Sequence, residues 1–211
     1  MFRSAAITRI ALAFGFAFAA SGAVAQGDLT VYCGYQIDGC NSMVNAFSEE
    51  TGIKVAMSQK SAGETFAQIK AEAANPKGDI WWTDSGDAHV QAAEEDLTVP
   101  CQSPMLRDLQ DWARKQAEQT GYKTVGVFAG PLGFGYNPDL LGRKNLPAPK
   151  RWRDLIKPEY KGEVQIANPN SSGTAHVAIA TLVRLMGEDE AFKYLKALNV
   201  NVNRYTKSGA R

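Results

Sequence analysis

Apolar residues recur along this chain in two rhythms. Short runs rich in β-branched and aromatic residues, Asp28–Tyr32 (DLTVY), Ile53–Met57 (IKVAM) and Asp79–Trp82 (DIWW), read as buried strands. Between and after them the spacing changes to three and four, which predicts helices. The first carries Met43, Val44 and Phe47, opens near Asp38 and stops at Thr51-Gly52. The second carries Phe66, Ile69 and Ala73 and ends at Asn75-Pro76, because proline cannot continue a helix. Ala88–Glu95 forms the third. Strand and helix alternating three times predict a mostly parallel α/β sheet.

The pattern then loosens. Pro104–Gln119 predicts a polar helix burying Leu106, Leu109, Trp112 and Ala113. Lys123–Tyr136 (KTVGVFAGPLGFGY) is apolar and glycine-rich, and predicts strand segments interrupted at Ala129-Gly130-Pro131. Asn137 opens a short helix, and Trp152–Leu155 makes another short element. The α/β rhythm returns at 162–186: Glu163–Ala167 reads as a strand, Asn168-Pro169-Asn170 as a turn, and Val177, Ile179, Leu182, Val183 and Met186 as one helix face. Glu188–Leu198 predicts a further helix and Val200–Tyr205 a strand.

The joins between strands and helices carry the candidate chemistry. In parallel α/β folds, ligands gather where strand C-terminal ends meet helix N-termini. Ser171, Ser172, Gly173 and Thr174 stand where a helix begins. The first turn of a helix leaves N–H groups unpaired, and these are satisfied either by a hydroxyl cap or by a bound anion. Ser61, Gly63, Glu64 and Thr65 repeat the arrangement, and Ser61 with Glu64 also spells a capping box, so the two roles compete for the same N–H groups. Asp84 and Ser85 leave the third strand, Tyr35 leaves the first, and Thr206 and Ser208 leave the last. His176, in the first turns of the cradle helix, would aid an anion as a cation.

Composition places the chain outside the cell's interior. Arg3 and Arg9, the apolar run Ile10–Ala20 and the small residues Ala23-Val24-Ala25 make up a secretory signal over residues 1–25. The apolar run is too short for a comfortable membrane span of about 20 residues. Its removal loses two arginines and no acid, taking the formal net charge from +1 to −1. Lysines and arginines are scattered among acids, which argues against nucleic acid as a partner. In an oxidising compartment Cys33, Cys40 and Cys101 are disulfide candidates. Cys33 and Cys40 close a short loop and are the favoured pair, leaving Cys101 spare. No GxxxxGK[ST], GxSxG or HExxH occurs, no cofactor is called for, and the chain is not expected to be an enzyme. An exported phosphate-ester hydrolase using the same cradle would need an activated nucleophile or a metal set near Ser172, and neither is visible in the sequence.

Taken together, LTVYCGYQ, ETGIKV, SAGETFAQIKAEAANPKGDIWW, GPLGFGYNPDLL, PKRWRDLIKPEYKGEVQIANPNSSGTA, LVRLMGEDEAFKYLKALN and YTKSG resemble the periplasmic substrate-binding proteins of ABC importers, of the ferric-iron, polyamine and phosphonate or sugar-phosphate type. The resemblance implies a type II periplasmic-binding-protein-like fold, two α/β lobes closing on a solute. The first lobe is expected over 26–127, with a hinge crossover and a partial second lobe over 128–211. It also implies a monomer in the periplasm that hands a small anionic solute to a membrane permease. In ferric members the metal rests on paired tyrosines of the second lobe with a histidine and a carboxylate of the first, beside an anion on a Ser-Gly-Ala-like turn. Here that turn resembles Ser172-Gly173-Thr174, the carboxylate would be Asp84 or a neighbour, and no histidine stands at Tyr35-Gln36. Family members run longer than this chain, and the tyrosine pair and the rest of the second lobe are expected beyond Arg211. An organophosphate or phosphonate is therefore the expected solute, with ferric iron and a synergistic anion as the alternative.

Overall fold

The computed structural model describes residues 28–82 and 85–209. The expected signal segment lies outside them, as does Asp84. Three parallel strands form the first sheet in the order β2-β1-β3: β1 Asp28–Cys33, β2 Lys54–Gln59 and β3 Ile80–Trp82. Val31 at the centre of β1 lies opposite both Met57 and Ile80. Helices α1 Ile37–Thr51 and α2 Ala62–Ala71 provide the crossovers that parallel pairing requires. Helix α3 Asp87–Glu94 follows β3. Helix α1 ends where the sequence predicts, because Gly52 takes the left-handed conformation (φ 73°) and returns its N–H to the Ser48 carbonyl. The disulfide forms between Cys33 at the end of β1 and Cys40 in α1, and Cys101 is free and exposed.

A second sheet of two parallel strands pairs β4 Val164–Ala167 with β5 Val202–Thr206. Helix α4 Asp111–Gln119 and the short α5 Pro138–Arg143 lie between the sheets in sequence. Helices α6 Gly173–Met186 and α7 Glu188–Asn201 connect the two strands of the second sheet. The core beside them holds Leu155, Leu182, Ala191, Tyr194 and Leu198, with Phe134, Trp152 and Val183 packed against it. Asn201 locks that core to the preceding loop: its buried side-chain amide donates to the carbonyls of Leu155 and Lys157, both at 2.8 Å. Burial pushes the Tyr194 phenol up to about 12, while its hydroxyl donates to the Trp152 carbonyl at 2.6 Å. The two parallel sheets with their helical connections make a mixed α/β fold.

Several elements differ from the sequence reading. Residues 123–137 contain neither helix nor strand. Glycine and proline weaken strand pairing, and no described strand lies alongside this segment to complete a ladder. Its two phenylalanines instead reach opposite ways: Phe128 lies 6.4 Å from Trp82 of the first sheet, and Phe134 lies 5.2 Å from Trp152 by the second core. The single helix expected at 104–119 is broken. A 3₁₀ turn, Pro104–Asp108, ends at Leu109 in an extended conformation, and α4 restarts after Gln110. Trp112, expected inside, is exposed. On α1 the stripe of Met43 and Phe47 is likewise exposed, and Cys40 is that helix's one buried residue. Helix α7 continues three residues past Leu198, so β5 begins at Val202 instead of Val200.

Candidate functional site

The loops that follow β2, β3, β4 and β5 meet at one seam between the two sheets. On one side α2 begins at Ala62, capped by Ser61. Glu64 reaches back to accept from the Ser61 N–H at 3.2 Å and the Ser61 hydroxyl at 2.7 Å, which realises the capping box. On the other side α6 begins at Gly173, and the Ser172 hydroxyl accepts from the Ala175 N–H at 3.4 Å. The same hydroxyl accepts from the Gly209 N–H at 3.2 Å, tying the loop after β5 to the start of α6. Ser171 adds a second tie by donating to the Lys207 carbonyl at 2.7 Å.

The two helix starts touch. The Gly63 N–H donates to the Ser171 carbonyl at 3.2 Å across the seam. A side chain at Gly63 would come within 2.8 Å of the Asn170 carbonyl oxygen, so glycine is required for this approach. At Gly173 a Cβ would overlap the Ser85 hydroxyl and lie 3.2 Å from the Ala62 methyl. Ser61, Thr65, Ser85, Ser172 and Ser208 are all buried. The Ser85 hydroxyl has no hydrogen-bond partner among the described residues, although it is aimed at the first residue of α6. A buried hydroxyl without a partner costs free energy that a ligand atom would recover.

Charges are sorted across the seam. Glu64 and Asp87 belong to the first-sheet side, Lys207 and His176 to the other. Lys207 pairs with Glu64, and the His176 Nε2 lies 3.8 Å from a carboxylate oxygen of Asp87. The hydrogen bond from Lys207 holds the Glu64 carboxyl down at about 2, Ser61 adds to that effect, and partial burial opposes it. The other carboxylate oxygen of Asp87 is buried without a partner among the described residues. His89, two residues on, stacks on Trp81 with ring centroids 4.0 Å apart, and burial pushes its pKa down to about 4.

The sequence candidates thus fall into groups. Ser61, Gly63, Glu64, Ser85, Ser171, Ser172 and Gly173 converge on the seam. Thr174 lies against Gly209 at its border. The hydroxyl of Thr65 is spent within α2, donating to the Ser61 carbonyl at 3.1 Å, and that of Thr206 donates to the Ser208 carbonyl at 3.0 Å. Tyr35 stands at the exit of β1, its ring 6.0 Å from Phe128 and its carbonyl taking a hydrogen bond from Gln59. Sequence reasoning passed over Lys207. Its signal was its place inside a hydroxyl-glycine loop at a strand exit, between Thr206 and Ser208.

Residues 75–210 match the family model of bacterial extracellular solute-binding proteins. The chain belongs to this family. A protein of Haemophilus influenzae is 41% identical over 207 residues, which cover 98% of this chain and 60% of that one. The Fe(3+)-binding periplasmic protein of Serratia marcescens is 28% identical over 94% of this chain and 56% of its own. Among solved structures, the periplasmic binding protein AfuA from Actinobacillus pleuropneumoniae, with fructose-6-phosphate bound, superposes with a TM-score of 0.84 at 38% identity. That match covers 87% of this chain and 58% of AfuA. The chain therefore spans somewhat over half the length of the relatives it matches. Among the described residues no helix is long and apolar enough to cross a membrane, and no three His, Cys, Asp or Glu side chains gather to hold a metal ion.

Proposed function

We propose that this protein captures a small organic anion, an organophosphate of the sugar-phosphate or phosphonate class, in the periplasm and delivers it to the permease of an ABC importer. One observation carries the reading. Two helix N-termini, those of α2 and α6, meet at a seam lined by buried hydroxyls, and the Ser85 hydroxyl there lacks a partner among the described residues. Helix N-termini favour negative charge through their unpaired N–H groups and their dipoles. Lys207 and, when protonated, His176 add positive charge on the α6 side. Parting of the two walls breaks the Gly63–Ser171 bond and opens the seam to a ligand. The fructose-6-phosphate in AfuA, at 38% identity, supports the phosphate-ester class. The groups hold a charge in place, as transport requires.

Ferric iron with a synergistic anion is the second reading, favoured by the Serratia marcescens relative. Native mass spectrometry of the mature protein, exported and never denatured, separates the two. It is followed by calorimetric titration with fructose 6-phosphate, 2-aminoethylphosphonate and ferric ion. Retention or uptake of a phosphorylated or phosphonate compound is the expected result. An iron adduct, with no uptake of either organic anion, transfers the assignment to the second reading. Uptake of none of the three overturns both.

A further inference from the structure

One of the chain's own carboxylates already takes the donors at the start of α2 and the ammonium of Lys207. Glu64 sits in the first turn of α2 and accepts an N–H and an O–H from Ser61. Its other oxygen pairs with Lys207 from the opposite wall. A helix N-terminal N–H, a hydroxyl and an ammonium are the donors that an incoming anionic group would use. Lys207 is fixed beside the α6 cradle by its own carbonyl, which accepts from the Ser171 hydroxyl. The buried Ser85 hydroxyl, without a partner among the described residues, lies on the same seam against Gly173.

Resting on the anion reading above, we propose that Glu64 is an internal rival of the solute: its carboxylate holds Lys207 and Ser61 until an anion displaces it. The Glu64–Lys207 pair closes the two walls on each other when no solute is present, and solute binding exchanges one carboxylate for another anion at Lys207. The exchange is feasible because the pair is partly solvated, with the Lys207 side chain 61% exposed and that of Glu64 29% exposed. A tethered carboxylate competes at a high effective concentration. Singly charged anions that merely match Glu64 gain little by replacing it, whereas a phosphate dianion gains a second charge. Glu64 thus sets a selectivity threshold in favour of doubly charged groups. It also lowers apparent affinity by the fraction of molecules in which the pair is formed.

The test uses the mature chain and inorganic phosphate as the probe, with binding followed by calorimetry. Four proteins are compared: the parent, Glu64→Gln, Lys207→Met and the double variant. Glutamine keeps an oxygen for the Ser61 N–H, so α2 retains its cap. Glu64→Gln is expected to bind phosphate about three- to sixfold more tightly than the parent, as release of a partly solvated pair allows. That gain is expected to vanish when Lys207 is methionine. Unchanged or weaker binding in Glu64→Gln overturns the proposal. A gain that survives in the double variant overturns it as well, because general removal of negative charge would then explain the effect. Absence of phosphate binding in all four proteins overturns the anion reading itself, and this inference with it.

Discussion

His89 makes stability depend on pH in a window where few other groups titrate. Its ring lies against Trp81, and burial lowers its pKa from 6.5 to about 4, with the Asp87 charge opposing. In the unfolded chain the imidazole titrates near 6.5. Between those values the unfolded chain holds a proton that the folded chain does not, so acid favours unfolding. The contribution is fully present above the unfolded value and is lost as the pH falls through 6.5 towards 4. At about 1.4 kcal/mol per pH unit, the loss by pH 5 is about 2 kcal/mol. Glu64 and Asp154, both held near 2 by lysine hydrogen bonds, have ordinary values of 4.5 and 3.8, so they stay largely ionised in both states down to pH 5. Urea unfolding followed by tryptophan fluorescence at pH 7 and pH 5 reads the difference. The comparison is with His89→Phe, which keeps an aromatic ring on Trp81 and carries no proton. The parent is expected to lose about 2 kcal/mol more than the variant over this interval. Equal losses, within about 0.5 kcal/mol, would refute a neutral, half-buried His89 stacked on Trp81.

Gly173→Ala is expected to destabilise the protein by about 1–3 kcal/mol, because the new methyl overlaps the Ser85 hydroxyl, even though helix propensity alone favours alanine by up to ~1 kcal/mol. A thermal melt at or above that of the parent would show that the seam is looser than described. Asn201→Leu conserves volume and removes both hydrogen bonds to the Leu155 and Lys157 carbonyls, at an expected cost of about 2–4 kcal/mol in denaturant unfolding. A cost below about 0.5 kcal/mol would mean that those carbonyls find other donors.

Local rules determined a large part of this chain. The alternation of strand and helix was legible from 28 to 95 because each segment is long enough to show its period and is punctuated by Gly52 or Pro76. The starts of α2 and α6 were legible for the same reason: Ser61-x-x-Glu64 and Ser172-Gly173 are signals confined to four residues or fewer. The sequence also suggested the Cys33–Cys40 bridge, whose partners are only seven positions apart. Tertiary structure decided what no local window contains. Residues 123–137 have the apolar content of a strand, but a strand exists only with a neighbour to pair, and none of the described strands takes that place. The apolar stripe on α1 stays exposed because periodicity marks a face and packing alone decides what covers it. The convergence of Ser61, Ser85 and Ser172, separated by up to 111 positions, follows from parallel strands β2, β3 and β4 releasing their loops at one seam. Lys207 gained its role in the same way. In sequence it is one lysine in a polar loop, and only the meeting of the two sheets sets its ammonium against Glu64 in the first turn of α2.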